Sequence, residues 1–303
     1  MTNKNKKILF LGCNTDQLGY LNELKNRNYY IVGIDQNNNA PGKNLCNAFY
    51  NFGYDDVEEL IAMGISENFL ESDYIFTAAA QFANLGAAAF ANRFNISFPS
   101  LSSIKICLDK TEFYNSFAAN NLPIPATSKI KDEHELKQYL ASSSGTNFYL
   151  KSDFSKNPNY VYRFNKNNIP WDSFCWVKDR YLQEYYVIQE EFLGRSIRIN
   201  IYGDRYNIFD FVTSTHIKPN DPFLINAEII PKLQQFRKFH NMQNWLLKFD
   251  VISADQDYVV LDVGMDPPSR MYKLASEQGI NFESHYLDQY LNGKATYPHE
   301  LDS

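Results

Sequence analysis

The feature that most constrains the fold is a pair of short apolar runs near the C-terminal end, each carrying one aspartate. They are "LLKFDVIS" (246–253) with Asp250 and "YVVLDVG" (258–264) with Asp262. Both are short, β-branched and bounded by turn residues, which is a strand pattern. The polar connection "ADQD" (254–257) suits a hairpin. With the turn centred on Gln256, Ala254 faces Tyr258, Ile252 faces Val260 and Asp250 faces Asp262. Like charges directly opposite destabilise a sheet, and partial burial would keep a proton on one of them. A divalent cation removes that conflict, because hard cations prefer carboxylate oxygens. Ordinary pairing with Lys248 or Arg270 is the alternative, and a single bulge would separate the two acids.

The chain has 303 residues, enough for two or three domains and a sizeable core. A net charge of −6 argues against a nucleic-acid binder, although a local basic cleft could still hold phosphates. Cys13, Cys46, Cys107 and Cys175 are scattered without CxxC spacing, as in the reduced thiols of a cytoplasmic protein. The apolar run at the N-terminus is too short for a signal peptide, and no run reaches membrane-spanning length. No membrane partner is expected.

Residues 1–100 alternate between strand and helix patterns. "KKILFLGCN" reads as a strand, "TDQLGYLNELKNRN" as a helix and "YYIVGIDQN" as a second strand ending in Asp35. "DDVEELIAMGI" is helical, "SDYIFTAA" a strand and "QFANLGAAAFANRFN" an Ala-rich helix. This is a Rossmann-like α/β domain with a parallel sheet. It lacks the dinucleotide fingerprint. Gly12 and Gly19 are present, but the middle glycine that lets a pyrophosphate approach is missing, which argues against a nicotinamide oxidoreductase.

From Ser102 the pattern changes to α+β with antiparallel sheets. "SSIKICLDKTEFYNSFAANNLPIPAT" reads as one helix stopped by two prolines, and "KDEHELKQYLASSSG" as an amphipathic helix capped near Asp132. "TNFYLKSDF", "VYRF", "YYVIQEEFLG", "SIRINIYGD" and "YNIFDFVTSTHI" read as strands, "PKLQQFRKFHNMQNW" and "FESHYLDQYLNG" as helices. His216 and His240 carry no partner pattern and read as surface or core histidines.

Taken in order, these elements resemble the ATP-grasp superfamily with its preceding α/β domain. The resemblance is carried by "LDKTEFYNSFAANNLPIPAT", "FYLKSD", "VIQEEFLGRSIRINIYGD" and "LKFDVI…YVVLDVGMDPPSR", and covers nearly the whole chain. It implies an α/β domain at 1–100 and an ATP-grasp domain at 101–303, with a lid subdomain around 126–186. It implies a carboxylate–amine (or thiol) ligase using ATP and Mg2+, acting through an acyl phosphate on a small carboxylate such as an amino acid. The alternative is a nucleotide-binding but catalytically silent relative with a regulatory or scaffold role. Its partners would be small-molecule carboxylate and amine substrates, and a homo-oligomer stays open.

The resemblance also assigns residues. Lys110 and Lys151 would contact phosphates as point charges; a solvated lysine is the alternative, less natural for Lys151 inside an apolar strand. Backbone groups of Glu190, Glu191, Phe192 and Leu193 would meet the adenine edge, or form an ordinary strand end. Asp250 and Asp262 would hold magnesium on the β- and γ-phosphates. Arg198 and Arg270 would grip the acceptor carboxylate or the transferring phosphoryl, or form structural ion pairs. The sequence departs from the pattern at three places. The loop after Lys151, "SDFSKNPNYVYRF", has no glycine. Ser196 stands where an acid near the ribose is usual. Gly264 stands where a second metal ligand, Asn, is usual, with Asp266 as the nearest substitute.

Overall fold

The computed structural model describes residues 6–152, 161–171, 186–213, 216–217, 229–254, 257–267 and 269–292. The first element set is β1 (Lys7–Leu11), α1 (Leu18–Asn26), β2 (Tyr30–Ile34), β3 (Ala48–Tyr50), α2 (Val57–Ser66), β4 (Tyr74–Thr77) and α3 (Ala83–Phe94). Its four strands are parallel in the order β3-β2-β1-β4. Strands buried on both faces need continuous apolar runs, and β1 and β2 supply them with "ILFL" and "IVGI".

Next come α4 (Leu101–Ile106), α5 (Lys110–Ala119), β5 (Thr127–Ile130), α6 (Glu133–Ser142), β6 (Asn147–Ser152), β7 (Val161–Asn165) and β8 (Tyr186–Glu190). The strands form an antiparallel sheet in the order β5-β8-β6-β7. Then follow β9 (Arg195–Tyr202), β10 (Arg205–Asp210), β11 (His216–Ile217), α7 (Ile229–Phe239), β12 (Leu247–Ala254), β13 (Asp257–Gly264), α8 (Ser269–Glu277) and α9 (Phe282–Asn292). Their strands make a second antiparallel sheet, β11-β10-β9-β12-β13. The fold class is therefore the one the sequence implied: a parallel α/β sheet followed by two antiparallel sheets.

Helix starts follow capping chemistry. Asp56, Ser100, Asp109 and Asp132 each accept a hydrogen bond from a backbone N–H three residues on. Asp109 corrects the single helix expected over this stretch. Its side chain accepts from Glu112 N at 3.0 Å, breaks the run at Cys107–Asp109 and makes Lys110 the first residue of α5. Helix ends use asparagine where glycine is usual. Asn28, Asn68, Asn95, Asn121 and Asn241 follow α1, α2, α3, α5 and α7, all with φ between 53° and 59°.

The expected strand at 206–217 is likewise two strands. Asp210 Oδ1 accepts from Val212 N (3.0 Å) and Thr213 N (2.7 Å), which turns the chain between β10 and β11. Strands β3 and β5 and helix α8 were not expected; the first two are four residues or shorter and carry little periodicity.

Each sheet has an apolar face against helices. Ile197, Ile199, Phe249 and Val251 pack on α5 and α7, where the tilted rings of Phe117 and Phe236 meet with centroids 4.4 Å apart. Phe148, Leu150 and Ile188 pack on α6 through Leu136 and Leu140. Helices α8 and α9 return to cover one face of the first sheet, placing Met271, Phe282 and Tyr286 against Phe10 and Phe76. Arg27, the residue that follows α1, ties α9 down through Asp288 (2.6 Å) and the Ser284 carbonyl (3.0 Å).

Candidate functional site

The hairpin β12–β13 places Asp250 opposite Asp262, as expected, but by a different route. Ala254 pairs with Asp257 and Ile252 with Val259, one residue away from the predicted register; Asp255 and Gln256, the expected turn, lie outside the described residues. A bulge between Asp250 and Val251 makes Leu261 the extra residue on β13 and returns the two acids to facing positions. The bulge is stitched to α5 and its following loop. Tyr114 OH donates to the Leu261 carbonyl at 2.9 Å, and Val260 N donates to Pro123 O at 2.9 Å.

The two antiparallel sheets face each other across a cavity of about 750 Å³. Strand alternation decides what each side shows it. On β6, Phe148 and Leu150 point to the α6 core while Tyr149 and Lys151 line the cavity. On the opposite sheet, Ser196, Arg198, Lys248, Asp250 and Ile252 share the cavity face, and the intervening residues are core. Lys110, Glu190, Glu191, Phe192, Leu193 and Asp262 complete the set predicted from sequence. Of the candidate residues only Arg270 is not placed here. It is the second residue of α8, and its side chain lies outside the described residues, as do residues 153–160 of the glycine-free loop, including Lys156.

Lys110 is buried and Lys151 half-buried, and both line the cavity. Burial, and then the neighbouring Lys110 charge, push the Lys151 ammonium down to about 8; Asp262 and Asp250 pull the other way. The buried Gln189 holds Lys151 through Oε1 and is itself fixed by donating to Thr127 Oγ1 at 3.0 Å. Two like charges forced together in one cavity form a site for a polyanion.

The facing sheet carries the acids. Asp250 accepts a two-pronged bond from Arg198, Nε to Oδ1 at 2.7 Å and Nη2 to Oδ2 at 2.9 Å. Burial lowers the Arg198 guanidinium's affinity for its proton, but the Asp250 bond and the charges of Asp250, Asp266 and Asp262 outweigh it and raise it. The Arg198 guanidinium also lies 5.0 Å from the Phe211 ring centroid. Asp262 Oδ1 accepts from Val263 N at 2.9 Å. A carboxylate has about four acceptor positions. Asp250 and Asp262 therefore keep lone pairs for one cation, although among the described residues no cluster of three His, Cys, Asp or Glu side chains could hold a metal unaided.

At Glu190–Leu193 the side chains are engaged outward. Glu190 accepts from Ser143 Oγ, and Glu191 binds Arg163 at 2.6 and 3.0 Å. The N–H groups of Glu190 and Glu191 are spent on Ala126 O and Asn147 O. Residues 190–194 line the cavity together with Pro125 and Leu261.

Asp35, at the second strand end, has its carboxylate occupied by Cys13 N (2.7 Å) and Asn37 N (2.8 Å), so it shapes loops. His240 is half-buried against Phe236, with Nε2 2.7 Å from Ser116 Oγ. The His216 side chain and Cys175 lie outside the described residues. Sequence reading missed Gln189 and Phe211, and it offered Lys248 as a partner of Asp250 or Asp262, whereas Lys248 pairs with Asp266. The cavity-facing position of Lys248 was within reach, since it sits two residues before Asp250 and must share its face.

No family model matches the chain, and no curated protein is similar to it in sequence. Solved structures are similar in fold. An L-amino acid ligase from Bacillus licheniformis superposes with a TM-score of 0.74 at 13% identity, over 96% of this chain and 76% of that one. An N5-carboxyaminoimidazole synthetase from Staphylococcus aureus, complexed with ADP, gives 0.72 at 14% identity, over 98% and 81%. The biotin carboxylase domain of a Hydrogenobacter thermophilus 2-oxoglutarate carboxylase, in complex with MgADP, ADP and bicarbonate, gives 0.71 at 12% identity, over 98% and 72%. At such identity the likeness establishes a shared fold. No helix among the described residues is long and apolar enough to cross a membrane.

Proposed function

For this chain, whose fold is that of the ATP-grasp ligases, we propose an ATP- and magnesium-dependent ligase that joins a small carboxylate to an amine or thiol. The observation that carries the reading is the cavity's polarity. Lys110 from α5, Lys151 from β6 and the two facing aspartates of β12–β13 all line the cavity, together with apolar surface. Such a cleft suits a triphosphate with a bridging cation and a flat base on the apolar side.

Bound ATP would supply the phosphoryl group that converts the carboxylate to an acyl phosphate, and magnesium would hold its β- and γ-phosphates. Lys110 and Lys151 would neutralise phosphate oxygens, and Gln189 keeps Lys151 aimed. Asp250 and Asp262 would hold the ion through the lone pairs not used by Arg198 and Val263. The backbone from Phe192 would meet the edge of the base, and Ser196 would lie toward the ribose. Arg198 fixes Asp250 and presents its remaining N–H groups to transferred or acceptor oxygens, and Arg270 is assigned the acceptor carboxylate. Residues 126–186 would form the lid over the nucleotide, excluding water from the acyl phosphate. A cytoplasmic location is part of this reading.

A second reading, a nucleotide-binding protein without turnover, is favoured by one observation: Arg198 already grips both oxygens of Asp250. Calorimetry with ATP and magnesium, followed by ADP-release assays over amino acids and other small carboxylates, separates the two. Acceptor-dependent ADP release that vanishes in Asp250→Asn supports the ligase. Uptake of ATP with no turnover over the whole panel supports the silent protein, and no uptake at all refutes both.

A further inference from the structure

We propose that the ammonium of Lys248 takes the place of a second divalent cation beside the Asp250–Asp262 pair, so that the nucleotide is bound with one divalent ion. The proposal rests on the reading that the cavity binds ATP.

The register of the central sheet arranges the face that carries Asp250 in rows that run from the core to the cavity. One row runs Phe209, Arg198, Asp250, Asp262; the adjoining row runs Asn207, Asn200, Lys248, Gly264. Lys248 therefore stands next to the paired acids. Three carboxylates on this side of the cavity could serve cations: Asp250, Asp262 and Asp266. Two are already compensated by tethered positive charges, Asp250 by Arg198 and Asp266 by Lys248. A divalent ion needs about six oxygen ligands. Asp250 and Asp262 with phosphate oxygens and water can complete one such shell. A second ion would have to share Asp266 with the Lys248 ammonium, which already holds its Oδ2.

Space gives the same answer independently. A Cβ built on Gly264 would lie 2.4 Å from Lys248 Cε and 3.0 Å from its Cγ. The lysine stem fills the volume that a ligating side chain at 264 would need. Lys248 is only 15% exposed, so this is a packed position. Directly across from it on β9, the fully buried Asn200 donates to Asn207 at 2.7 Å and keeps an Oδ1 with no hydrogen-bond partner. An acceptor left without a donor in this row suits an ammonium, which has three N–H groups to give, and a fixed ammonium needs no dehydration to enter.

The test counts ions. Protein saturated with a non-hydrolysable ATP analogue is titrated with Mn2+, and bound manganese is read from the loss of the free-ion electron paramagnetic resonance signal. Expected is one Mn2+ per wild-type chain, and two in the folded double variant Lys248→Met/Gly264→Asn. Two ions in wild type overturn the proposal while leaving ATP binding intact. A single ion in the double variant also overturns it. If the double variant does not fold, Lys248→Met alone is used. There the analogue should bind about tenfold more weakly with one Mn2+, and unchanged affinity overturns the proposal. Failure of wild type to take up the analogue at all overturns the proposed function first and this inference with it.

Discussion

Binding of ATP to this cavity should be accompanied by proton uptake at mildly alkaline pH. Lys151 is the reason. Its ordinary value of 10.5 is pushed down to about 8, first by burial and then by Lys110. A triphosphate placed between the two lysines reverses the second effect and returns the ammonium toward its ordinary range. In the empty protein Lys151 is then about 10% deprotonated at pH 7, about 50% at pH 8 and about 90% at pH 9. Proton uptake on binding should therefore grow from pH 7 to pH 9, and affinity should fall across the same interval. The assay is calorimetric titration with a non-hydrolysable ATP analogue, repeated in buffers of different ionisation enthalpy. The slope of observed heat against buffer heat gives the proton count. In Lys110→Met the empty protein loses the like charge, Lys151 rises, and the uptake at pH 8 should shrink. The same depression sets a stability trend without ligand. The folded value lies below the unfolded one, so unfolding binds protons between about pH 8 and 10.5, and stability rises across that window. A slope of zero at pH 8 and 9 would refute the assignment of Lys151 to the phosphate site.

Three further perturbations test the scaffold and the acids. Asp250→Asn should abolish acceptor-dependent ADP release, and it should lower stability by about 1–3 kcal/mol because Arg198 loses its charged partner; turnover within a few-fold of wild type would contradict the role of Asp250. Phe117→Ala should cost about 3–5 kcal/mol in urea unfolding, since the ring is fully buried between Phe113, Phe236 and Phe249; a loss below 1 kcal/mol would mean that this core is not packed as described. Gly86→Ala should cost about 1–3 kcal/mol, because the new methyl would lie 1.9 Å from the Tyr54 carbonyl oxygen and force α3 away from the loop before α2; an unchanged denaturation midpoint would contradict that close approach.

Much of the fold is legible where periodicity is long and one-sided. The parallel strands announce themselves as "ILFL" and "IVGI", and the amphipathic helices as spaced leucines. Five helix ends were harder to read, because asparagine at positive φ does the work usually assigned to glycine. The residues of the site are legible through order and resemblance. Their mutual arrangement is not. That Arg198 grips Asp250, that Gln189 aims Lys151 and that Lys248 fills the space beside Gly264 all depend on register across sheets. The hairpin shows the limit well. The pairing of Asp250 with Asp262 follows from symmetry about Gln256 only by coincidence: the strands pair one residue out of that register, and a bulge at Leu261, held by Tyr114, brings the acids back into line. Nothing local in "VVLDV" signals a bulge, because its stabilising partner lies 147 residues away.

A crystal structure with a non-hydrolysable ATP analogue and magnesium tests the central claim most directly. The account predicts phosphates between Lys110 and Lys151, an ion on the Asp250–Asp262 side and the base against the backbone after Glu191. A nucleotide bound elsewhere, or phosphates lying away from both lysines, would contradict it.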